Sequence, residues 1–171
     1  LSGINYLVCA AFFTIVSSNP PFLAFAPHRM GRTGSKKDTL RNVEQVGEFT
    51  VSAVTEEIAE QVNRCAASLP YGDSEFEHSG LTPEAAERVK APLVAESPVG
   101  LECRLEEIRT YGEEGGAGSL VVGRVLVMHI DPSLRDPADG RVLPERLRAV
   151  GRMGGSLWCR TLDTFELERP S

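Results

Sequence analysis

Apolar positions in this chain gather in short runs and alternations rather than in long helical stripes, a pattern that predicts mostly strands. The first run, residues 6–16, is continuous and stops at Ser17-Ser18-Asn19-Pro20-Pro21, a turn signal, so it reads as a buried strand. Further strands are expected over residues 22–26, 48–54, 98–111, 119–130 and 156–168. In the fourth, Val99, Leu101, Cys103 and Leu105 alternate with Gly100, Glu102, Arg104 and Glu106, the period of an antiparallel strand with one solvated face. That reading places Glu102, Glu106 and Glu107 in water. The glycine-rich stretch 112–118 would turn this strand into the next as a hairpin.

Four helices are expected between the strands. Residues 38–46 end at Gly47, a good C-terminal stop. Residues 56–68 place Ile58, Val62, Cys65, Ala66 and Leu69 on one face, with Glu56 and Glu57 suiting the N-terminal dipole. Residues 83–90 follow Thr82 as a cap with proline in first position, and 144–150 form a short fourth. Long strands with helices inserted predict a mainly β, α+β domain, a closed or nearly closed barrel with peripheral helices. One domain over 1–171 is expected, with room for a first strand upstream of Leu1.

Composition narrows the class. The 171 residues are 42% hydrophobic and 25% charged, as in ordinary globular chains. Cys9, Cys65, Cys103 and Cys159 form no C-x-x-C pair, so inert thiols in a reducing cytoplasm are expected, with no metal site. The run 6–16 is shorter than the roughly 20 residues that span a bilayer and lacks a basic leader, so no membrane partner is expected. The net charge of −6 excludes a general nucleic-acid coat.

That charge is unevenly spread. Arg29, Arg32, Lys36, Lys37 and Arg41 face one acid, Asp38, giving +4 over residues 29–41 and −10 elsewhere. Gly31 and Gly34 free the backbone, Ser35 and Thr39 supply hydroxyls, and a helix starts near Asp38. Such a segment makes an anion site. The alternative is a solvated loop with Asp38 or Ser35 as the N-cap. His28 lies on this loop as a helper for an anion, His78 reads as a loop residue, and His129 as a strand residue satisfied locally. The three show no carboxylate cluster in sequence, and no catalytic dyad is evident.

The ordered motifs FF-x-x-V-S-S-x-P-P (residues 12–21), K-D-T-x-x-N (37–42) and G-E-F (47–49) resemble the flavin reductase-like FMN-binding split-barrel family. The resemblance continues through Ser97-Pro98, Leu101-Glu102-Cys103, Val122-Gly123-Arg124-Val125 and Gly151-Arg152-Met153-Gly154-Gly155. It implies a six-stranded split barrel of Greek-key type, a homodimer, and FMN (with FAD as an alternative) near the subunit interface. It places Phe13, Thr14, Ser17 and Ser18 along the flavin ring and Ser35, Lys37 and Thr39 at the phosphate, with Arg32 as a helper and Asn42 fixing the loop. Trp158 is either an aromatic lid or barrel packing. Two departures concern the reductant. Ala11 replaces a serine, and Gly116-Ala117-Gly118-Ser119 stands where strongly NAD(P)H-dependent relatives carry G-D-H.

The resemblance implies an oxidoreductase that passes electrons from NAD(P)H through flavin to free flavin or another acceptor. The alternatives are an FMN-binding electron-transfer or sensor module without reductase turnover, and a protein holding another phosphorylated ligand or an RNA end.

Overall fold

The computed structural model describes residues 13–67, 69–70 and 72–170. Residues 6–12 of the expected first strand, with Cys9, Ala11 and Phe12, lie outside them. Strands β1 (Phe13–Ser18) and β2 (Pro21–Phe25) form a hairpin around Asn19 and Pro20. Helix α1 (Asp38–Val46) and β3 (Glu48–Ser52) follow, joined by Gly47 at φ 71°, whose N–H closes the helix on the Val43 carbonyl. Strands β6 (Val99–Tyr111) and β7 (Gly118–Ile130) are the long hairpin the alternation predicts. All five belong to one antiparallel sheet in the order β1-β2-β7-β6-β3.

Leu23, Phe25, Phe49, Cys103 and Val121 form the core of this sheet, and Leu40 and Val43, three apart on α1, cover it. Phe25 and Phe49 meet edge to face, centroids 5.2 Å apart. Gly123 makes room for that pair, since a Cβ there would stand 2.3 Å from Phe49 Cζ. Gly123→Ala should therefore cost about 1–3 kcal/mol by overpacking, read as a lower urea midpoint with unchanged slope.

The chain is mainly β, but among the described residues the sheet stays open, with β1 and β3 at its edges. Four further strands, β4 (Pro83–Glu84), β5 (Leu93–Val94), β8 (Val150–Gly154) and β9 (Leu157–Arg160), pair with one another in two small hairpins instead of closing a barrel. Helix α2 (Ala59–Arg64) is shorter than expected. The Glu56 N–H bonds to the Arg148 carbonyl and its carboxylate to Arg148 and Arg160, which holds residue 56 outside the helix. Ile58, Val62 and Cys65 do share a buried face, packed on Phe76 of α3 (Glu75–Ser79) in a second cluster. His78 is thus on a helix, not in a loop. Helix α4 (Pro144–Leu147) stops early because Arg148 turns to φ 49° and Val150 opens β8.

Two expectations fail outright. Residues 83–90 are not helical: after β4 the chain runs as an irregular strap over the outer face of β3 and β6. Tertiary partners take the N–H groups a helix would have used. Glu102 accepts from Glu87 and Arg88, and Glu48 from Lys90. Thr50 donates to the Pro92 carbonyl at 2.6 Å, and Ser52 accepts from Val94. Leu93 sits against Gly100, where a Cβ would meet its Cδ2 at 2.7 Å. The last strand ends at Arg160 rather than running to 168. Residues 161–170 find no pairing strand among the described residues and leave Phe165 and Leu167 exposed.

The strap also corrects the reading of Glu102. It is fully buried, whereas Glu106 and Glu107 are exposed as expected. Cys65 and Cys103 are buried free thiols and Cys159 is half-buried. Burial, with the Glu102 charge beside it, pushes the Cys103 thiol up to about 12, so it stays protonated and inert.

Candidate functional site

The basic segment 29–41 leaves β2 and is anchored before it reaches α1. Arg29 N–H donates to the Ala117 carbonyl, Met30 N–H to Ser35, and Gly34 N–H back to Met30. The segment lies on the tip of the β6–β7 hairpin. A Cβ on Gly115 would come within 1.9 Å of the Gly31 oxygen, and one on Gly34, at φ 69°, within 3.0 Å of the Glu113 oxygen. His28 bridges to Gly118 at the same place. The loop's path is thus fixed by close backbone contact.

The side chains on this segment divide into two groups. Lys36 is tied to Glu44 at 2.6 Å, and Arg41 stands 3.7 Å from Asp38. Arg32 and Lys37 are exposed and form no ion pair among the described residues. Lys37 is the N-cap of α1, and no side chain caps that helix, so neither Asp38 nor Ser35 plays the capping role. Uncapped N–H groups at the positive end of a nine-residue helix attract an anion. Two donors nearby are buried without a partner, Arg29 Nε and Asn42 Nδ2. Buried donors are normally satisfied, and an anion held over this segment would supply the missing acceptor. Ser35 and Thr39 are half-buried on the same stretch.

The residues expected along a ring lie on β1. The register sets Phe13 opposite Phe25 and Thr14 opposite Ala24, so this end of β1 is the one nearest the basic loop. Ser17 and Ser18 sit at the far end, beyond a bulge. The described part of the first apolar run is not the buried strand expected: Phe13, Ile15 and Val16 are exposed at 47%, 73% and 55% on this edge strand, an uncommon concentration of apolar side chains in water. Trp158, on β9, is half-buried against the cluster of Ile58 and Phe76, with the Arg152 guanidinium 5.8 Å from its ring.

One polar constellation escaped the sequence reading. His129 Nε2 lies 2.6 Å from Glu102 Oε1, and Glu87 Oε1 stands 4.0 Å from His129 Nδ1. His129 is satisfied locally through Nε2, as expected, but by a carboxylate that strand pairing brings to it, while the strap leaves Glu87 beyond hydrogen-bond distance of Nδ1. Burial alone would raise the Glu102 carboxyl. The Glu87 N–H, the His129 ring and the Arg88 N–H outweigh it and hold the group below the usual carboxylate range. No group of three or more potential metal ligands occurs among the described residues, and no helix among them is long and apolar enough to cross a membrane.

The family model described as flavin reductase like domain matches residues 3–144. The chain is 35% identical over 163 residues to the uncharacterized protein YwrF of Bacillus subtilis, covering 94% of this chain and 78% of that protein. Among solved structures it is similar to nitrilotriacetate monooxygenase component B from Bacillus cereus, at 34% identity and a TM-score of 0.86, covering 94% of this chain and 78% of the other. A structure from Shewanella frigidimarina described as having a split barrel domain matches at 25% identity and a TM-score of 0.83, over 96% of this chain and 79% of its own.

Proposed function

The chain belongs to the flavin reductase like domain family, and from that premise we propose that it is an FMN-dependent oxidoreductase drawing electrons from NAD(P)H and passing them to free flavin or another acceptor. The observation that carries this reading is the uncapped N-terminus of α1 on a segment that also carries Lys37, Arg32 and the unpartnered Arg29 Nε and Asn42 Nδ2. It fits a phosphate dianion, which needs several donors and positive charge in one place. Lys37 and the first N–H groups of α1 would hold the phosphate, with Ser35, Thr39 and Arg32 around it. Phe13, Thr14, Ser17 and Ser18 would present an uncharged strand edge to the ring. Bound flavin would supply the redox chemistry, and the protein's part is to fix the ring and govern access to it.

The exposed apolar edge of β1 supports a homodimer in which a second copy covers Phe13, Ile15 and Val16. The likeness to one component of a monooxygenase supports delivery of electrons to an acceptor outside this chain. A second reading, an electron-transfer or sensor module, draws support from the hairpin tip, where Gly116-Ala117-Gly118-Ser119 carries no histidine.

Freshly purified protein, or protein reconstituted with FMN, should show a bound-flavin visible spectrum, and anaerobic NADH or NADPH should bleach it within seconds. A bound spectrum that neither nucleotide bleaches would leave the module reading. Protein that ignores added FMN would overturn both.

A further inference from the structure

The strap 83–96 and the ends of β6 and β7 border a cleft of about 610 Å³, open to solvent on one side. It lies at the opposite end of β7 from Gly118 and the basic loop, roughly 40 Å of strand away. Leu93 and Met128 give it apolar walls. His129, Glu84, Glu87, Glu96, Ser97 and Asp131 supply its polar groups, of which Glu96 accepts from the Thr82 N–H and Ser97 donates to backbone carbonyls, and no lysine or arginine lines it.

The hydrogen bonds around Glu102 define which nitrogen of His129 faces this space. Glu102 is fully buried and receives the N–H groups of Glu87 and Arg88, so it is an ionised acceptor, and His129 Nε2 must carry the proton between them. In the neutral ring Nδ1 is then an acceptor, turned away from Glu102. It stands 4.0 Å from the Glu87 carboxylate, too far for a direct hydrogen bond and close enough for one ammonium group to donate to both. Glu84, Glu96 and Asp131 add negative potential, which favours a cation and repels phosphates and carboxylates.

We infer that this cleft is a second ligand site, one that takes a small organic amine. The ammonium donates to His129 Nδ1 and to Glu87, and the apolar body lies between Leu93 and Met128. The site is separate from the flavin reading and stands or falls without it.

Benzylamine is the probe, with benzyl alcohol and benzoate as controls, added to the full chain with and without saturating FMN. The ring nitrogens of His129 are followed by 15N NMR at mildly alkaline pH. Benzylamine should shift Nδ1 saturably, equally with and without FMN, and about tenfold more tightly than either control. Glu87→Gln should weaken benzylamine by about tenfold, because it removes a charge from the cradle. It keeps the backbone N–H that holds the strap, so thermal stability and the flavin spectrum should not change. Glu84→Gln, a substitution away from that anchor, should weaken binding more modestly. Equal binding of benzyl alcohol or benzoate, undiminished binding by Glu87→Gln, or no saturable shift at His129 would overturn the proposal.

Discussion

Replacing Lys37 and Thr39 together with alanine is expected to weaken FMN by about 100-fold and riboflavin by less than about threefold, the difference being the loss of two phosphate contacts of which one is charged. The structure sharpens this beyond charge counting. Of the five basic residues in 29–41, Lys36 is engaged by Glu44 and Arg41 stands beside Asp38, while Lys37 occupies the N-cap position of α1 without an ion pair among the described residues. Lys36→Ala should accordingly leave FMN affinity nearly unchanged. Fluorescence titration of both flavins checks the pattern. Equal losses for FMN and riboflavin would place the phosphate elsewhere, and a large effect of Lys36→Ala would mean the Glu44 pair opens on binding.

The largest expected effect on stability is that of Glu102→Gln, about 2–4 kcal/mol at neutral pH. The carboxylate is fully buried and accepts from two backbone N–H groups, at 2.9 and 2.7 Å, and from His129 at 2.6 Å. An amide has a single acceptor oxygen, so its NH2 group must face one of these donors. The sign with pH follows from the depressed folded-state value. A carboxyl held below its ordinary range stabilises the fold above the unfolded value near 4.5, and that contribution fades as pH falls through the lower, folded value. The stability gap between the original protein and Glu102→Gln should therefore be full at neutral pH and narrow in strong acid. Urea denaturation across that range measures it, and a gap that stays constant would show that the charge of Glu102 is not the cause. Because Glu102 holds the strap, the variant should also show faster amide exchange at Arg88.

What could be read from the sequence was local. The amphipathic spacing of Leu40 and Val43 with Gly47 behind it places α1 correctly, and the alternation after Val99 places the long hairpin, because each pattern rests on the chain's own periodicity. The basic loop was visible through its charge, and the expected ring residues only through resemblance to a family. The strap was invisible because its donors go to acceptors far away in sequence. Lys90 bonds to Glu48, 42 residues distant, and no window over 83–90 contains that partner. The pairing of Glu102 with His129 could have been found. Folding the hairpin about its glycine-rich turn sets Glu102 opposite Val127, which leaves His129 one diagonal step away. Reading Glu102 as solvated failed because β6 is covered on both faces, by the core and by the strap, and alternation reports only the first.

The tip of the β6–β7 hairpin has a practical meaning for anyone altering this protein. A surface turn of Gly112-Glu113-Glu114-Gly115-Gly116-Ala117-Gly118 looks like a natural place to insert a label, a linker or a fused domain. Here it is the seat of the basic loop, which rests on Gly115, hydrogen-bonds to Ala117 and crosses Glu113 through Gly34. An insertion there would lift the segment that begins α1 and displace the helix start along with it. The turn behaves as a fixed spacer whose length is part of the design, and grafts belong elsewhere on the surface.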